Sequence, residues 1–283
     1  AAPPRRAGLN NIGCNLFPPK KVRGSTQKTI VKAFENLCGR HSRWEVWDDW
    51  IGMCAIAISN AVDRAHREKR EKTYGILSKK YTAAETQTIS EMLALLVQEM
   101  EENPNQDFLG ELFMVLGLGN EHAGQFFTPY NVCEAMSELS GEKIAADVAR
   151  KGWISVSDPA CGAGALLVAF ANMCARRKIN YQTSVLFAAQ DIDFTVGMMC
   201  YIQLSLLGCA GYVVIGDSLA HPMTAVDRRG LIPRDEGNVW YTPMYFRDVW
   251  HWRRVWAQME MMERVYTDKA KRWAERLKER GEE

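Results

Sequence analysis

Three short runs in the second half of the chain, WISVSD, SVLFAAQD and GYVVIGD, are rich in β-branched and aromatic residues, and each is followed by a stretch long enough for an amphipathic helix. Strand alternating with helix restricts this half to an α/β sheet with parallel neighbours, because two parallel strands need a crossover that a helix usually supplies. Each run ends on an acid: Asp158, Asp191 and Asp217. In an open α/β sheet the ligand lies outside the carboxyl ends of the strands. Three carboxylates are therefore expected to converge on one crevice.

The first run leaves its strand through SVSDPACGAGALLVAF, an Asp-Pro followed by two glycines and an apolar helix. A glycine-rich strand-to-helix turn lets backbone amides approach a ligand, and the helix N-terminus behind it favours a polar or anionic group. Gly162-Ala163-Gly164 falls short of a G-x-G-x-x-G fingerprint, since Leu167 stands at the third glycine's place, and the Gly-Lys-Ser/Thr of a P-loop is missing. A nucleoside triphosphate is thus disfavoured. Asp158 suits an ammonium group better than a phosphate. Asp191 suits the two hydroxyls of a ribose, and Asp217 the exocyclic amine of an adenine. Ammonium, ribose and adenine together describe S-adenosylmethionine. The competing account is that each aspartate caps the helix after its strand; it serves for any one of them more easily than for three in order.

Ahead of this half, residues 26–120 place apolar side chains at helical spacing, as in WDDWIGMCAIAISNAVDRAHREKREKTYGIL and TISEMLALLVQEMEE, with Asn103-Pro104-Asn105 as a break. The expected organisation is a basic tail over 1–25, a helical domain over 26–120, an α/β domain over 121–245 and a helical extension over 246–283. The tail carries Arg5, Arg6, Lys20, Lys21 and Arg23, with Lys28 just beyond it and no acid among them, a pattern that more often means a solvated segment than a phosphate contact. The net charge of +1 names no partner. Trp250, Trp252, Trp256 and Trp273 in the extension suit core or a subunit contact better than base stacking. Eight cysteines without a C-x-x-C pair argue for buried, reduced thiols and no metal. No run reaches the roughly 18 apolar residues of a membrane span, so a cytoplasmic protein is expected.

Four segments in order carry a resemblance. DPACGAGALL resembles the first motif of the adenine-specific DNA methyltransferases, and LFAAQDID the next strand in the modification subunit of type I restriction systems. GQFFTPYNVCEAM is similar to a segment that in this family precedes the first strand and wraps the methionine end of the cofactor, and VVIGDSL to the third strand. The likeness covers about 107–219. It implies a Rossmann-like S-adenosylmethionine-dependent methyltransferase fold, its parallel sheet shortened, with an N-terminal helical domain. It also implies methyl transfer to the adenine amine of DNA within a restriction-modification-type system, and as partner a specificity subunit or a second methyltransferase subunit. Carried over residue by residue, Phe126, Phe127, Thr128 and Pro129 would line the methionine side, though the phenylalanines also suit plain core packing. Asp158, Ala160, Gly162 and Gly164 would form the cofactor loop. Asp191 would hold the ribose, and Asp217 with Ser218 would face the adenine.

The chain departs from that family at the catalytic loop, Asn/Asp/Ser-Pro-Pro-Tyr/Phe, which nothing here spells. Its purpose is to accept hydrogen bonds from the target amine while an aromatic ring stacks on a flipped base. The preferred match is Thr242-Pro243-Met244-Tyr245, because the loop should follow a strand and NVWY precedes it. Thr242, Pro243 and Tyr245 are then the expected catalytic residues. The alternative, Asn238-Val239-Trp240-Tyr241, keeps an amide and an aromatic but neither proline. Two further functions stay open: a catalytically silent subunit that binds cofactor or DNA and assembles with a partner, and methylation of a protein amide.

Overall fold

A computed structural model describes residues 24–119, 127–234 and 238–279. Five helices come first: α1 (Ser25–Leu37), α2 (Arg43–Asn60), α3 (Arg67–Ser78), α4 (Ala83–Glu102) and α5 (Phe108–Val115). There follow α6 (Tyr130–Lys151), β1 (Ile154–Asp158), α7 (Ala165–Arg176), the single turn α8 (Tyr181–Ser184), β2 (Val185–Asp191), α9 (Phe194–Leu206) and β3 (Ala210–Ile215). A short β4 (Val239–Tyr241), a 3-10 turn over Pro243–Phe246 and the long α10 (Asp248–Glu279) complete the described chain. Local chemistry sets several boundaries. Thr82 and Glu85 cap α4 reciprocally, α4 ends one residue before the Asn103-Pro104-Asn105 break, and Gly152 at φ 79° ends α6.

The sheet order is β1-β2-β3-β4. β1, β2 and β3 run parallel, with Asp158 beside Ala189 and Asp191 beside Ile215. β4 runs against them, Val239 beside Val214 and Tyr241 beside Tyr212. The sequence leads one to expect a parallel sheet, and the last strand departs from that expectation. Strand β2 is buried on both faces, as a central parallel strand must be. Its Val185, Phe187 and Ala189 join one core, and its Leu186 and Ala188 join the other.

The first core runs without interruption from Ile30 and Phe34 in α1, through Trp47, Trp50 and Ile51 in α2, to α9 and the sheet. The N-terminal helices therefore bury their apolar faces against the same layer that covers the strands. Arg70 of α3 extends this link to β4: it donates to Asp63 Oδ2 at 2.7 Å and to the Val239 carbonyl at 2.8 Å, and its guanidinium lies 3.9 Å from the Trp240 ring. On the other face, Leu186, Ala188, Ala210, Tyr212 and Val239 pack with Tyr245, Trp250 and Ala257. Trp250 fixes the start of α10, since its indole N–H donates to the Gln182 carbonyl at 2.7 Å.

Candidate functional site

The turn between β1 and α7 needs its glycines for different reasons. Gly162 and Gly164 adopt φ of 54° and 93°, a region that L side chains rarely enter. At Gly164 a side chain would also collide, since a Cβ there would lie 2.8 Å from the Cys200 sulfur and 3.2 Å from the Cys200 Cα. A Cβ at Gly162 would sit 3.4 Å from the ring of Phe127. Phe127, half-buried beside Phe113, is thus brought against the turn.

Neighbouring elements hold the turn in place. Cys161 N–H donates to the Gln190 carbonyl at 3.0 Å, and Gly162 N–H to Asp191 Oδ2 at 2.8 Å. From α9, the fully buried Gln203 donates to the Ala163 carbonyl at 2.8 Å and to Asp107 Oδ1 at 2.9 Å. Asp191 Oδ1 accepts from Asp193 N–H at 3.0 Å. An ionised carboxylate has about four acceptor sites, so after one backbone amide on each oxygen Asp191 can still receive two vicinal hydroxyls. Asp158 Oδ1 accepts from Ala160 N–H at 3.2 Å. Burial, and secondarily the charge of Asp191, push the Asp158 carboxyl above its ordinary range.

The third acid behaves differently. Asp217 is exposed, and its Oδ1 accepts from Leu219 N–H at 2.8 Å and Ala220 N–H at 3.2 Å, bonds that hold its carboxyl below the usual value. It organises its own turn, as the capping account anticipates, yet it lies next to Asp191 because Gly216 N–H donates to the Asp191 carbonyl at 2.8 Å. Ser218 beside it is half-buried, whereas Ala160, Thr128 and Pro129 are exposed. Phe126 lies outside the described residues.

Several residues of this region escape a motif search. Ile192 is 74% exposed and Phe194 45% exposed, apolar side chains presented to solvent directly after Asp191. Gln190 ties the wall beyond β3 to β2: its amide donates to the carbonyls of Gly216 and His221 at 3.2 and 3.0 Å, and its oxygen accepts from Met223 N–H at 2.9 Å. The available signal was the pair Gln190 and Gln203, two amides inside otherwise apolar runs. Such groups are buried only when hydrogen-bonded.

Thr242, Pro243 and Tyr245 are not brought to this crevice. Because β4 is antiparallel, its end lies at the beginning of β3: Thr242 N–H donates to the Gly211 carbonyl at 3.0 Å, and its hydroxyl accepts from Gly211 N–H at 2.9 Å and donates to the Cys209 carbonyl at 2.7 Å. Tyr245 is buried, its hydroxyl donating to the Leu231 carbonyl at 2.8 Å. The four residue steps from Gly211 to Ile215 separate this loop from the carboxyl ends by about 13 Å of strand. The structure therefore places Thr242-Pro243-Met244-Tyr245 at the opposite edge of the sheet from Asp158 and Asp191. The start of β4, by contrast, is at the crevice. Ile215 N–H donates to the Asn238 carbonyl at 3.0 Å, and the Asn238 side chain is exposed there.

Among the described residues no helix is long and apolar enough to cross a membrane, and no group of three or more histidine, cysteine or acidic side chains is arranged so that it could hold a metal ion. A family model described as N-6 DNA methylase matches residues 114–255, half of the chain. No curated protein matches the sequence.

Proposed function

Since the chain belongs to the N-6 DNA methylase family, we propose that its crevice holds S-adenosylmethionine and that the protein methylates the exocyclic amine of adenine in DNA. The observation that carries this reading is the direct bond from the Gly162 amide in the turn to Asp191 on the neighbouring strand, 2.8 Å long. That bond joins the proposed methionine-binding and ribose-binding elements into one body on a Rossmann-like sheet.

Each residue has a task its surroundings suit. Asp158 pairs with the ammonium group, and Gly162 and Gly164 let the chain pass close to it. Phe127, with Thr128 and Pro129, borders the methionine side. Asp191 accepts the ribose hydroxyls, while exposed Ile192 and Phe194 supply apolar surface for the flat faces of the adenine. Asp217 and Ser218 stand at the outer edge. When bound, the cofactor supplies a sulfonium-activated methyl group. Asn238, projecting at the same ends of the strands, accepts hydrogen bonds from the target amine through its side-chain oxygen. Positioning the amine in line with the methyl accounts for most of the rate effect.

A second reading, a cofactor-binding subunit without turnover, is favoured by one observation: Val239 and Trp240, not two prolines, follow Asn238. Transfer of labelled methyl from S-adenosylmethionine to adenine-containing duplex, measured together with cofactor binding by calorimetry, separates the two. Transfer by the natural chain that falls at least a hundredfold in Asn238→Ala, with binding intact, supports the enzyme. Binding without transfer, in the presence of duplex and of candidate specificity subunits, supports the silent subunit.

A further inference from the structure

We propose that Trp44, carried by the N-terminal helices, is the ring on which the target adenine stacks once it has left the duplex. The inference rests on the methyltransferase reading above and supplies a part which that reading lacks. A base drawn out of its stack is held against flat apolar side chains, yet Tyr245, the ring of the loop after β4, is buried at the far edge of the sheet.

Trp44 is 41% exposed, although the next aromatic residues of its helix, Trp47 and Trp50, are wholly buried. The first turn of α2 is fixed: Ser42 Oγ accepts from Glu45 N–H at 3.1 Å, and Arg43 donates to the Leu116 carbonyl at 2.9 Å. Two contacts then place the ring. On one side it meets Phe113 edge to face at 5.6 Å, and Phe113 lies 5.4 Å from Phe127, the residue that borders Gly162. On the other side Asp48, one turn along the same face of α2, accepts from the Thr195 hydroxyl at 2.9 Å. Thr195 follows Asp193, whose N–H donates to Asp191. Trp44 thus stands between the methionine side, marked by Phe127, and the ribose side, marked by Asp191. Sulfur joins the methionine chain of the cofactor to its ribose, so the methyl group is presented in that same interval. The accepting base has to come there. Two exposed rings stand near it, Phe194 and Trp44. Phe194 directly follows the ribose acid by three residues and is held edge to face by Trp240 at 5.9 Å, which leaves it to the adenine of the cofactor. Trp44, on a separate element and anchored from both sides, is left to the target.

The probe is a short thymidine strand with one central 2-aminopurine, titrated with the whole chain in the presence of S-adenosylmethionine. 2-Aminopurine has no amine at the adenine position, so no methyl is transferred, and stacking on an indole quenches its emission. The natural chain is expected to bind the strand and quench it. Trp44→Leu, which keeps apolar bulk against Phe113, should abolish the quenching and weaken binding about tenfold. Trp44→Phe should keep most of the affinity and still lose the quenching, which serves if the leucine variant fails to fold. Trp252→Leu, altering an exposed tryptophan on the other side of the sheet, should change neither. Unchanged quenching in both Trp44 variants overturns the proposal, as does a natural chain that leaves the strand unbound up to about 100 µM. Either result beside methyl transfer to adenine in DNA overturns the stacking role alone. Quenching that depends on Trp44 beside a complete lack of transfer overturns the enzyme alone.

Discussion

The two ends of the strands make an instructive pair. At the amino ends the polar groups of the loop after β4 have internal uses: the Thr242 hydroxyl closes two backbone groups at the start of β3, and the Tyr245 hydroxyl closes a loop carbonyl. At the carboxyl ends Asp158 carries a carboxyl that burial disfavours as an ion, while Ile192 and Phe194 face solvent. Self-sufficiency marks scaffold. Unspent hydrogen-bonding capacity beside exposed apolar surface marks a place prepared for something else.

The contrast can be broken by altering each end and asking what is lost. The largest effect is expected from Arg70→Met, which strands Asp63 without its buried cation and unties β4 from α3. Stability should fall by about 3–5 kcal/mol in denaturant titration, and a smaller drop would mean that Arg70 is not what secures that strand. Asp191→Ala at the open end should weaken S-adenosylmethionine binding about tenfold or more, equivalent to roughly 1.5–3 kcal/mol for hydrogen bonds to a charged group. Unchanged affinity by calorimetry would remove Asp191 from the ribose role. Thr242→Val at the sealed end should cost about 1–3 kcal/mol of stability, because the Gly211 amide loses a buried acceptor; its cofactor affinity should be that of the natural chain, and a selective loss of affinity would erase the distinction between the ends.

The smallest effect is in pH. The folded carboxyl of Asp158 titrates above its ordinary value of about 3.9. Its ionised form holds the ammonium group, so affinity is full at neutral pH and declines on acidification, beginning above the usual aspartate range. Asp158→Asn should bind more weakly at neutral pH and lose that part of the pH dependence. An identical acid limb in natural and variant chains would exclude Asp158 as its source.

Much of this was legible in the chain itself. WISVSD, SVLFAAQD and GYVVIGD become three neighbouring parallel strands, and DPACGAGALL becomes the turn that Asp191 grips. These features are local: strand periodicity, a glycine that must take positive φ, an acid at a strand end. What escaped was direction. Expecting the catalytic loop after NVWY is sound only where that strand runs with its neighbours, and strand orientation is fixed by long-range pairing that three residues cannot announce. With β4 reversed, the residue before it, Asn238, lies at the crevice, and the residue after it, Thr242, lies at the far edge. Asp217 was open to two readings from the start, because a carboxylate that caps its own turn and one that awaits a ligand look alike in sequence.

Cys161 stands in the middle of the glycine turn, yet it is buried against Cys200, and that hydrogen bond together with desolvation keeps its thiol protonated well above the ordinary range. A protonated, inaccessible thiol is chemically quiet. An alkylating reagent can therefore reach it only when the turn lifts away from α9, and the rate of its modification becomes a clock for that opening. Whatever fastens the turn shut will slow the clock.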